Sequence, residues 1–186
     1  MAIKTFTTGE VLTASDTNTY LANSGLVYVK SQTIGSAVAT VTVTDAFSAT
    51  YDAYKIVVTD GSGSTLQRLR VSLGATTTGY YWGLIAGRYD SGGAVSVGGT
   101  NAALWDYVGV GSSTGLSANI DLINPFLSKR TYVISAFTDP GTGGGTSAGS
   151  TNGQLDNSTS YTSFILSPSA GTLTGGTITV YGYRKG

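Results

Sequence analysis

Any chemistry in this chain has to come from aspartates, aromatic rings and a few arginines, because it contains no histidine and no cysteine. That absence removes the usual general base, the commonest transition-metal ligands, thiolate catalysis and disulfides. The acids that follow the first 26 residues are Asp45, Asp52, Asp60, Asp90, Asp106, Asp121, Asp139 and Asp156. Paired carboxylates hydrolyse glycosides when they flank a sugar, but most of these sit beside Gly, Ser, Thr or Asn, where an aspartate makes a turn with its own side chain. Asp139 and Asp156 bracket a glycine-rich stretch, residues 140–153 (PGTGGGTSAGSTNG), without the regular ligand spacing of a calcium loop. No Gly-Lys-Ser/Thr closes that stretch and no helix pattern follows it, so it is not a phosphate cradle. No catalytic residue, metal site or cofactor is predicted, and the chain is not read as an enzyme.

The aromatic set Tyr80, Tyr81, Trp82, Trp105 and Tyr107 is a better candidate. Alternation along a strand puts Trp82 on the side of Tyr80 and Trp105 on the side of Tyr107. Inside a sandwich such rings fill volume; at a rim they pack between subunits or stack on sugars. All three readings stay open, and Tyr81, Trp82, Trp105 and Tyr107 stand as candidate interface or glycan contacts. Arg68 and Arg70 join them on the polar face of one strand, where a solvated face is the default and a partner that fixes docking register is the alternative. Lys129 and Arg130 follow a predicted turn at residues 124–127 (NPFL).

The elements that carry these residues have period two. Val27 and Val29, Val41 and Val43, Tyr54, Ile56 and Val58, Leu69, Val71 and Leu73, and Ile178 and Val180 each alternate with neighbours of the opposite face. That is the pattern of half-buried antiparallel strands. Further strands are predicted over residues 80–86, 102–108, 116–123, 130–137 and 161–166. Turns are predicted at residues 60–63, 91–93, 98–99, 111–113 and 170–171 from their Gly, Ser and Asp content. Short strands at this spacing, with no amphipathic helix in the body, predict an all-β antiparallel sandwich of jelly-roll type. Residues 140–153 are expected to be a mobile loop, since their glycines pack no side chains and cost entropy to order; the alternative is that neighbouring subunits order them.

Charged residues make up 11% of the 186-residue chain, and ten cations balance ten acids. Without a net field, nucleic-acid binding is not expected. Residues 1–9 (MAIKTFTTG) lack the apolar core of a secretory signal, and no window approaches 18 apolar residues. Synthesis in a reducing cytoplasm is expected, with no membrane association.

Residues 1–26 differ in kind from the body, 27–186, and form a short polar arm. Thr13-Ala14-Ser15-Asp16 fits a helix start in which the threonine oxygen caps and the acid reaches back. A small helix over residues 14–23 is expected, with Gly25 as its stop. The arm stretch FTTGEVLTASDTNTYL, residues 6–21, resembles the N-terminal attachment segment of tailed-bacteriophage fibre and capsid-decoration proteins through Gly9, Glu10, Val11, Leu12, Thr13, Ala14, Asp16 and Asn18. Residues 176–183 (GTITVYGY) are similar to the closing strand of such heads. The resemblance implies a virion structural protein, a capsid decoration or cement protein bound as a homotrimer to the major capsid protein on the outer shell. Phe6, Val11, Leu12, Asp16, Asn18, Tyr20 and Leu21 would make the attachment. The alternatives are a tail-fibre or tailspike tip that recognises host surface glycans, and a free carbohydrate-binding module. The absence of a heptad or collagen-like shaft favours decoration over fibre.

Overall fold

A computed structural model of the chain describes residues 7–16, 25–89, 91–139 and 147–185. Apart from one short helix, α1 (Ala14–Asp16), it is built of strands: β1 (Leu26–Thr33), β2 (Val41–Val43), β3 (Ala53–Thr59), β4 (Ser62–Gly63), β5 (Gln67–Leu73), β6 (Tyr80–Arg88), β7 (Ala94–Ala102), β8 (Trp105–Ser112), β9 (Gly115–Ile123), β10 (Thr131–Thr138), β11 (Ser147–Leu155), β12 (Phe164–Pro168), β13 (Leu173–Thr174) and β14 (Thr177–Tyr183).

The pairing is that of a jelly roll. β1 runs antiparallel to β14, β2 to β12, β3 to β9 and β5 to β8, so early strands run against late ones as one long two-stranded ribbon. Folding that ribbon over itself places β1-β14-β3-β9 in one layer and β2-β12-β5-β8 in the other. β9 belongs to both: its first residues pair with β8, and residues from Ala118 onward pair with β3. The first layer then continues as β9-β10-β11-β6-β7. This extension comes from two insertions, β6 and β7 between β5 and β8, and β10 and β11 between β9 and β12.

Alternation builds the core between the layers. Tyr54, Ile56 and Val58 of β3, Ala118, Ile120 and Leu122 of β9, and Ile178 and Val180 of β14 are buried from one side. Leu69, Val71 and Leu73 of β5, Phe164 and Leu166 of β12, and Val41 and Val43 of β2 meet them from the other in one cluster. Each such side chain contributes roughly 1.5–3 kcal/mol by leaving water. Phe47 stacks on Phe164 at 5.7 Å and meets Tyr54 edge-on at 4.9 Å. The buried Tyr54 hydroxyl accepts from the Ser48 N–H at 2.7 Å and donates to the Ser48 carbonyl at 2.8 Å, so its polarity costs little.

Three expectations need correction. β8 is buried almost throughout instead of alternating, because the extension packs on it as well. Trp105 and Val108 enter the main cluster, while Val110 joins a second one with Leu84, Ala86 and Phe137. Between Leu69 and Val71 of β5, β8 moves from Gly109 to Trp105, a bulge centred on Tyr107 with its φ at 57°. Trp105 and Tyr107, expected on one side, therefore enter different clusters.

The glycine-rich stretch is the second correction. Its residues 147–153 lie in β11, inside the extended layer between β10 and β6; residues 140–146 lie outside the described residues. A Cβ on Gly149 would stand 2.5 Å from the Ala86 Cβ, and one on Gly153 would collide with the Tyr81 carbonyl oxygen. These glycines let neighbouring strands approach and do not make a loop. The third correction is similar: Gly98 and Gly99, expected to turn, lie within β7, and Gly99 makes room for the Trp82 indole.

Candidate functional site

The arm forms its own local structure. The Thr7 N–H donates to Glu10 Oε2 at 3.1 Å, and the Glu10 N–H to the Thr7 carbonyl at 3.0 Å. At the helix start, the Asp16 N–H donates to Thr13 Oγ1 at 3.1 Å while Asp16 Oδ2 accepts from the Thr13 hydroxyl at 2.6 Å and its N–H at 3.1 Å. This is the reciprocal cap the sequence predicts. Residues 7–15 are exposed, and Val11 and Leu12 have 78% and 50% of their surface open to solvent. Phe6, Asn18, Tyr20 and Leu21, and all but the first turn of the expected helix, lie outside the described residues. The body begins where the Arg184 N–H donates to the Gly25 carbonyl at 2.9 Å and Leu26 pairs with Tyr183.

Trp105 is fully buried, edge-on to Tyr80 at 5.0 Å, with its indole N–H donating to the Gln154 carbonyl at 3.3 Å. Neither a sugar nor a second subunit reaches it. Trp82 is half-buried 6.1 Å from Tyr107, its indole nitrogen enclosed without a hydrogen-bond partner among the described residues. Tyr81, also half-buried, is the β6 residue between Tyr80 and Trp82 and pairs in register with Gln154.

Arg68 and Arg70 converge on Asp106, a carboxylate that is 8% exposed. Arg68 Nε lies 3.5 Å from Asp106 Oδ2 and Arg70 Nε 3.2 Å from Oδ1. Oδ1 also accepts the Tyr107 N–H at 2.9 Å, and the Tyr107 carbonyl accepts from the Thr151 hydroxyl at 2.7 Å. These bonds hold the left-handed Tyr107 backbone that an aromatic residue otherwise avoids. The Arg68 guanidinium covers the Tyr107 ring at 4.8 Å and donates to its hydroxyl at 3.4 Å. Partial burial alone would lower the Arg68 pKa; the Tyr107 hydroxyl and the Asp106 charge outweigh it and raise it above its ordinary value. The cluster holds two guanidiniums and one carboxylate.

On the opposite layer, Asp121 of β9 accepts from Lys55 of β3 at 3.1 Å and from the Tyr183 hydroxyl at 2.6 Å. Burial pushes the Tyr183 phenol up to about 12, and its hydrogen bond to the charged Asp121 adds to the shift. Asp121 and Tyr183, with Ala53, Ile123 and Ile134, line a shallow groove of about 260 Å³. A second groove, about 340 Å³, lies between Val27, Thr50, Tyr51, Arg184 and Lys185; there Lys185 pairs with Asp52 at 2.8 Å.

Asp106, Asp121, Lys55 and Tyr183 were not among the residues predicted from sequence to form a site. A signal for the two acids was present: Asp106 lies between Trp105 and Tyr107, and Asp121 between Ile120 and Leu122, where no turn former explains an aspartate. Among the described residues no group of His, Cys, Asp and Glu is placed to hold a metal ion, and no helix is long and apolar enough to cross a membrane. No protein-family model matches the chain, and neither does any curated protein or solved structure.

Proposed function

We propose that this chain is a structural protein of a tailed-phage virion, a decoration or cement protein that binds the outer shell as a homotrimer through its N-terminal arm. The observation that carries this is the arm itself: a locally capped segment that presents Val11 and Leu12 to solvent ahead of a complete jelly roll. The resemblance of residues 9–18 to phage attachment segments supports the same reading. Burying a valine and a leucine on a shell contributes roughly 1.5–3 kcal/mol each, which is modest for one arm. Three arms on one trimer act together, because the second and third attach at a high effective concentration. A body with little net charge and with Tyr132, Ile134 and Ile85 exposed on the extended layer suits close association.

Particles that lack the protein provide the test. The full chain should bind them at a copy number near that of a shell component, and a chain without residues 1–23 should unfold as cooperatively as the full chain yet fail to bind. Normal decoration by the truncated chain would overturn the arm as anchor. Light scattering on the body should report a trimer; a monomer at micromolar concentration would remove that part of the reading. A second reading, a tail-fibre tip that recognises host glycans, is favoured by the cationic excess at Arg68 and Arg70. A copy number matching a tail ring against the major capsid protein would select it.

A further inference from the structure

We propose that Arg68 and Arg70 form a binding site for a carboxylate carried by a sugar, such as a uronic acid unit of an acidic polysaccharide. Their shared carboxylate, Asp106, is buried and already engaged by both guanidiniums and by the Tyr107 N–H. Two cations around one anion leave a single positive charge in the cluster, and the Arg68 and Arg70 side chains remain 39% and 26% exposed. The Arg70 side chain makes its one hydrogen bond through Nε, so among the described residues its two terminal nitrogens stay unused. Those nitrogens form the fork that takes a carboxylate by two parallel hydrogen bonds. Asp106 fixes the arginines beforehand, which lowers the entropy lost on binding.

The surroundings select the kind of carboxylate. Ser167 of β12 pairs in register with Arg70, and the Arg68 N–H donates to the Ser169 hydroxyl at 3.0 Å. With the Tyr107 hydroxyl, these give short polar groups of the kind that meet sugar hydroxyls. The Tyr107 ring is covered by Arg68, so a sugar is held here by charge and hydrogen bonds, not by stacking. One net charge is too little for a nucleic-acid backbone, whose binding needs many phosphates neutralised.

The test is calorimetric titration of the full chain at low salt with an oligosaccharide containing glucuronate, and with a neutral glucose oligosaccharide of the same length. The acidic ligand should bind and the neutral one should not. Arg70→Gln should weaken binding by about tenfold or more, the loss of one charge-assisted fork. Arg70→Lys keeps the charge and the pairing to Asp106 but not the fork, and should also weaken binding; it serves if the Gln variant fails to fold. Equal binding of the neutral oligosaccharide, unchanged affinity in both variants, or equal competition by free acetate would overturn the proposal. The isolated chain suffices, so failure here would leave the arm as anchor standing.

Discussion

Asp106 and Asp121 are both strand aspartates with two side-chain partners, one on each layer of the sandwich, and they leave opposite surfaces around them. Asp106 binds two arginines and sits deep beside a backbone bulge; Asp121 binds one lysine and one neutral tyrosine at the edge of an apolar groove. The first cluster keeps a positive charge and holds an unfavourable Tyr107 conformation. The second is neutral and lies among Ala53, Ile123 and Ile134. A neutral, partly apolar face suits self-association, whereas a rigid cationic cluster suits an anionic ligand.

Removing Asp106 should therefore be the most damaging change. Asp106→Ala leaves two guanidiniums facing each other and the Tyr107 N–H unpaired, and should destabilise the protein by about 2–3 kcal/mol in denaturant unfolding. Asp106→Asn keeps an acceptor for that N–H and should lose less. If both variants are as stable as the parent, Asp106 does not hold the bulge, and the contrast with Asp121 collapses.

Alkali probes a core tyrosine and the Asp121 cluster together. Burial pushes the Tyr80 phenol up to about 12, and Tyr183 reaches about the same value. Both are acids whose neutral form is favoured by folding, so their contribution is complete below pH 10, the ordinary tyrosine value. Between pH 10 and about 12 the unfolded chain gives up these protons first, and stability falls. For Tyr80 the loss should be about 2 kcal/mol by the top of that window, after discounting for screening. Unfolding midpoints measured from pH 8 to pH 12 check this, and a flat profile would contradict it.

How far the sequence shows this contrast depends on the strand. In β3, β5, β9 and β14 one face is buried, so Ile56, Leu69, Ile120 and Val180 stand out at every second position and the jelly roll is legible. β11 and β7 are not, because Gly149, Gly153 and Gly99 are there to let strands and an indole approach, and glycine in sequence reads as turn. β8 was legible as a strand over residues 102–108, but not its burial or its bulge: covered on two sides, it does not keep the alternation expected of Trp105 and Tyr107. Arg68 and Arg70 were legible as a pair on one face, but their partner lies 36 residues from Arg70, across a bulge that no local pattern encodes.

The smallest expected effect is at Asp121. Lys55 and Asp121 keep 21% and 28% of their side chains exposed, so solvent and salt screen the pair and Asp121→Asn should cost less than about 1 kcal/mol. Its signature lies in Tyr183 instead. Burial is the largest cause of the raised Tyr183 pKa, followed by the hydrogen bond and charge of Asp121; the variant removes the second and third but not the first. Phenolate absorbance should then show one tyrosine titrating below about 12 yet still above its ordinary value, with Tyr80 unmoved. A Tyr183 titration unchanged in Asp121→Asn would mean that burial alone sets it, and that the Asp121 carboxylate is not what orders this end of the groove.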